Sequence, residues 1–90
     1  MRREEDYFGD RELVLVFMAK RLKEALALER VLDAAAMDYA VVPATYTSGM
    51  LFLSHRIGAY FYVLPEDSER ARTLLLEQGL KPYREPRAKI

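Results

Sequence analysis

The chain has no cysteine. Disulfides, thiolate nucleophiles and cysteine-ligated metals are therefore excluded, and a reducing compartment is permitted. It has one histidine, His55, so no histidine pair can hold a metal ion. It has no net charge: 14 basic residues balance 14 acidic ones, which removes the usual electrostatic reason to bind nucleic acid or an anionic membrane. Long apolar runs are lacking as well. The longest, at 13–19, is far shorter than the roughly 20 residues that span a bilayer, and the charged stretch 1–12 contains no signal-peptide core. Glycine is scarce, and Gly49 and Gly58 follow no phosphate-loop fingerprint. The expectation is a cytoplasmic protein away from the membrane, with no metal and no other cofactor.

Short apolar runs alternate with stretches of helical spacing. Residues 13–18 (LVLVFM), 39–43 (YAVVP) and 58–64 (GAYFYVL) read as strands, and 80–84 as a short fourth one. Residues 20–37 read as a helix in which Leu22, Ala25, Leu28, Leu32 and Ala35 form one stripe. Residues 67–78 read as a second helix, with Ala71, Leu74, Leu75 and the flanking Leu76 buried and Gly79 suited to a left-handed end. The order predicts an α+β, ferredoxin-like βαββαβ sandwich over residues 13–84. Its four-stranded, mostly antiparallel sheet carries two helices on one face, with charged tails at 1–12 and 85–90 expected to stay mobile.

Two helices on one face leave the other face bare, and here it is apolar. The run 13–18 is apolar at every position, which predicts a place in the middle of the sheet. Strict alternation puts Val14, Val16 and Met18 on one side of it. In 58–64, Ala59, Phe61 and Val63 suit the helix side, so Tyr60 and Tyr62 fall on the open side. An open face of Val14, Val16, Met18, Tyr60 and Tyr62 is expected to be covered in a homo-oligomer, most simply a two-fold dimer. RNA bases stacked on Tyr60 and Tyr62 are the competing reading. Neutral charge and an aromatic spacing that misses the required pattern disfavour it.

Pro43 lacks an N–H and is expected to end the second strand, leaving 44–57 as a long irregular loop. Met50, Leu51, Phe52 and Leu53 make its middle apolar, so it needs a surface to bury against. Tyr46, Thr47 and Ser48 bring hydroxyls, Gly49 brings flexibility, and His55 and Arg56 follow. Hydroxyls, main-chain amides and a guanidinium suit a small anion or polar metabolite. An ordinary hydrogen-bonded turn accounts for the same residues. No nucleophile, base and acid occur at catalytic spacing, so the reading is not an enzyme. The leading expectation is a small regulatory or sensing domain that binds a metabolite or a protein partner through 44–57. The alternative is a purely structural homo-oligomeric assembly subunit.

Several segments carry a resemblance. These are the strand through Phe17, the helix ALALERVLDAA at 25–35, DYAVVP at 38–43, the pair Ser48-Gly49, and VLPEDSERARTLL at 63–75. Together they resemble small prokaryotic domains of the selenium/sulfur carrier-like family, and a neighbouring signal-transducing family likened to PII proteins. The resemblance covers about three quarters of the chain and implies the same fold and a non-enzymatic role. The carrier-like family places a Cys-Gly pair where this chain has Met50 and Leu51. A thioether cannot form the persulfide or selenide that carriage requires, so that chemistry is not implied here.

Overall fold

The computed structural model describes residues 1–48 and 54–83, and at 44–48 and 54–57 it gives the course of the backbone. Five elements carry the fold: β1 (Val14–Ala19), α1 (Leu22–Ala34), β2 (Tyr39–Ser48), β3 (Ser54–Val63) and α2 (Ser68–Glu77). The three strands form one sheet in the order β1-β3-β2, with both pairings antiparallel. Both helices contribute to a single core with one face of that sheet. The largest fully buried side chains are Tyr39, Phe61, Leu28, Leu32, Leu75, Val16 and Val63, each worth about 1.5–3 kcal/mol of burial. The α1 stripe holds at Ala25, Leu28 and Leu32, whereas Leu22 is the first helical residue and 74% exposed; on α2, Ala71 and Leu75 are buried, while Leu76 turns to solvent.

In the three-stranded sheet β1 pairs with β3 alone, and β3 takes the centre. A β-bulge alters the pattern along β1. Leu15 pairs with Tyr62 and Phe17 with Phe61, so Val16 is an extra residue on β1. The bulge breaks the two-residue alternation and turns Val14, Val16, Phe17 and Ala19 all toward the helix-covered core. Val14 and Val16 are thus corrected from the open face to the core. Met18 remains on the open side opposite Tyr60, and Leu15, which strict alternation places on the helix side, lies on the open side opposite Tyr62.

Strand β2 passes through Pro43 and continues to Ser48, so the segment expected as an irregular loop is largely a hairpin. Tyr39 explains why proline is tolerated. Its N–H donates to Met1 O (3.1 Å) and its carbonyl accepts from Arg3 N–H (2.7 Å), both on the side away from β3. The β2–β3 register is unbroken from 39 to 48, so Pro43, four residues on, also faces away from β3. Its missing N–H costs the ladder nothing.

The N-terminal segment, expected to be a mobile tail, is docked. Arg2 forms a parallel bridge with Tyr39, and a 3-10 turn follows at Glu5–Phe8, where Phe8 is buried. Arg3 Nε pairs with Asp38 Oδ1 at 2.9 Å, and its guanidinium lies 4.3 Å from the Tyr7 ring centroid. At the other end, residues 80–83 are not assigned to a strand. Tyr83 N–H nevertheless donates to the Val16 carbonyl (2.7 Å), and the buried Arg72 donates through Nε to the Tyr83 carbonyl (3.3 Å). Arg84 and the tail at 85–90 lie outside the described residues.

The two helices end alike. After α1, Ala36 N–H donates to Asp33 O (3.0 Å) and Met37 N–H to Leu32 O (3.0 Å). After α2, Gly79 N–H donates to Leu76 O (3.0 Å) and Leu80 N–H to Leu75 O (2.9 Å). Both are Schellman ends, which require a left-handed residue after the cap. Gly79 takes it with φ +75°, and Ala36 with φ +56°.

Candidate functional site: the hairpin arm and the open face

Strand β1 last meets β3 at the pair Ala19–Ala59. Beyond that row β2 and β3 continue alone through Ala44–Gly58, Thr45–Ile57, Tyr46–Arg56, Thr47–His55 and Ser48–Ser54. At about 3.4 Å per residue, this two-stranded arm reaches some 17 Å past the last three-stranded row. It contains all but one of the proposed ligand-binding residues. Gly49 lies outside the described residues, as do Met50, Leu51, Phe52 and Leu53.

The register sorts the others into two sets. Tyr46 is paired with Arg56 and Thr47 with His55. Neighbouring rows of a ladder belong to opposite faces, so the two pairs do not share a face. Ser48, in the row with Ser54, belongs with Tyr46 and Arg56. A single small ligand resting on one face of the ribbon would meet one set.

The open face of the sheet is only partly bare. Tyr60, Tyr62, Leu15 and Met18 are all half-buried, and Ala40 in the same layer is 1% exposed. Part of the cover comes from the chain itself. Gly9, Arg11 and Leu13 form one side of a shallow depression whose other side is Ala40, Val42 and Tyr62. Arg11 Nη2 reaches Glu66 Oε1 at 2.5 Å and ties this crossing to the start of α2. The hydrogen bond to Arg11 holds the Glu66 carboxyl below the usual carboxylate range.

At the start of β2, the end of the ladder away from the arm, the buried Tyr39 hydroxyl lies 3.2 Å from Asp33 Oδ1 and 3.4 Å from Glu29 Oε1, while its ring stacks on Phe61 at 5.9 Å. Burial first, and the two carboxylates second, push the phenol well above its ordinary pKa. Glu29 also pairs with Arg2 at 3.7 Å. The i, i+4 spacing of Glu29 and Asp33 is the signal that places both on the helix edge facing Tyr39. Nothing in local spacing shows that residues 1–3 come to meet them.

Among the described residues no group of three or more His, Asp or Glu side chains is placed to hold a metal ion. No helix among them is long and apolar enough to cross a membrane. No protein-family profile, curated protein or solved structure matches this chain.

Proposed function

We propose that this chain is a small binding module that acts by contact, not catalysis, and that the arm at 44–57 is its working part. The observation that carries the reading is the arm's length beyond β1. A two-stranded ribbon is marginal alone in water and gains when a third surface covers it. The apolar residues Met50, Leu51, Phe52 and Leu53 add surface that favours a partner. The buried cluster of the described residues is built from β1, α1, the start of β2, the end of β3 and α2.

The finer architecture belongs to the same reading. Residues 80–84 act as the fourth strand beside β1, in the ferredoxin-like order that makes β1 an inner strand, and the bond from Tyr83 N–H to the Val16 carbonyl supports this placement. Such an architecture agrees with the resemblance to small signal-transducing domains. A metabolite held at Tyr46 and Arg56 is the second form of the reading, favoured by their shared row in the ladder.

The test removes the arm. Residues 45–57 are deleted and Ala44 is joined to Gly58 through Asn-Gly, a hairpin turn that suits two antiparallel strands. The trimmed chain is expected to keep its circular dichroism and to melt within about 5 °C of the intact one. Both chains are then screened for melting shifts against nucleotides, amino acids, organic acids and phosphate, and for self-association by sedimentation. A response confined to the intact chain supports the reading. Identical behaviour of the two chains, whether both respond or neither does, overturns it.

A further inference from the structure

We infer that the outer edge of β2 along the arm is a pairing surface for a second copy of this chain. The two arms join antiparallel about a two-fold axis at Tyr46, giving a four-stranded ribbon. The inference rests on reading the arm as a contact element and names its partner.

The orientation of the backbone comes first. Tyr39 spends both of its main-chain groups on the N-terminal segment, away from β3. With no register shift along β2, residues 41, 43, 45 and 47 present theirs the same way. Among the described residues, the only bridge on this edge is Arg2 at Tyr39, and β2 is the last strand of the sheet on that side. Arg2, Arg3, Glu4 and Asp6 border a depression with Val41 and Pro43, so it is from Thr45 onward that no described residue pairs with the edge.

Edges of this kind are normally protected by charges, most often lysine, by proline, or by very short strands. This one runs ten residues without a charge, from Tyr39 to Ser48. Its single protective feature is Pro43, and that sits before the arm. A proline there can accept but cannot donate, so it ends an outer ladder on the body side and leaves Thr45 and Thr47 free beyond it.

Those two positions fit a copy of themselves. With the axis at Tyr46, Thr45 stands opposite the second copy's Thr47, and Thr47 opposite its Thr45. Both members of each pair direct N–H and C=O toward the other, which gives four main-chain hydrogen bonds. The strand is neutral and the chain has no net charge, so nothing repels the copy. Pairing also lifts each arm from two strands to four, past the number needed for independent stability. The open face needs a second copy less, because residues 9–13 already cover part of it.

The test uses sedimentation and amide hydrogen exchange on the intact chain, with Thr45→Pro and Thr47→Pro as variants. Each variant deletes an outward N–H and spares the bonds to β3, as Pro43 already does. The intact chain is expected to pass from 10.4 kDa to twice that mass as its concentration rises. The Thr45 and Thr47 amides, which face away from β3, should gain the most protection with that transition, ahead of Tyr46 and Ser48, which face β3. The double variant should keep its circular dichroism and dissociate at least about 100-fold more readily.

An intact chain of 10.4 kDa up to about 1 mM, with Thr45 and Thr47 exchanging freely, overturns the inference. So does a dimer that persists in the double variant. If that dimer is lost only when the arm is removed, the arm remains the contact element and the β2 edge is not the surface. The exchange measurement needs no variant, so a misfolded proline variant leaves the inference open to refutation.

Discussion

Ala36 and Gly79 occupy the same place in the same motif, and exchanging their residue types should move stability in opposite directions. Both are left-handed, at φ +56° and +75°, and both lie at the exposed end of a Schellman turn. A left-handed L-residue costs about 1–2 kcal/mol, because its Cβ crowds the following carbonyl. Glycine avoids that strain but gives the unfolded chain more freedom, which returns about 0.4–1 kcal/mol. The difference is about 1 kcal/mol. Ala36→Gly should therefore stabilise by about 1 kcal/mol, and Gly79→Ala should destabilise by a similar amount. A Cβ built at Gly79 meets nothing within 4 Å, so no contact confuses the comparison.

Urea unfolding at neutral pH measures both, with the slope expected to stay constant while the midpoint moves. In a chain of this size the same free energy shifts the melting temperature by about 4–8 °C. Shifts of the same sign in both variants, or no shift in either, would refute the claim that backbone strain is stored at the end of α1.

Two further predictions concern the core. Tyr39 is neutral in the folded chain at pH values where a free phenol ionises, because burial and then Asp33 and Glu29 raise its pKa. Above about pH 10 the unfolded state gives up a proton that the folded state keeps, so stability should fall by about 1.4 kcal/mol per pH unit. Tyr39→Phe should be less stable by about 0.5–1 kcal/mol at neutral pH, since its two contacts are long and share one proton. It should then overtake the parent at alkaline pH; parallel pH profiles for the two proteins would contradict this account. Val16→Ala should cost about 2–3 kcal/mol and Met18→Ala less than about 1 kcal/mol, measured by urea unfolding. Equal costs would return Val16 to the open face and remove the bulge.

Much of the fold was legible in the chain itself. The period of 3.6 placed both helices, and the buried set Ala25, Leu28, Leu32, Ala71 and Leu75 follows from their spacing. The alternation of Ala59 through Val63 divided Phe61 and Val63 from Tyr60 and Tyr62 correctly. What misled was any inference that treated a local rule as global. Strict alternation put Val14 and Val16 on the open face, but a bulge turns Val14, Val16, Phe17 and Ala19 into one core. A proline suggested a strand end, but on an edge it falls where no partner needs its N–H.

Local composition and periodicity thus decided the elements, the absence of cysteine chemistry and the apolar content that has to be hidden. Only the tertiary structure decided that charged residues 1–3 bind the rim of β2, that 44–48 and 54–57 stand clear of the sheet, and that Tyr46 pairs with Arg56 while Thr47 pairs with His55. The reason is physical. Spacing along a chain determines which side of an element a residue lies on, but the partner of each edge is chosen by main-chain groups that every residue carries alike. Those groups leave no mark in the identity of the side chains.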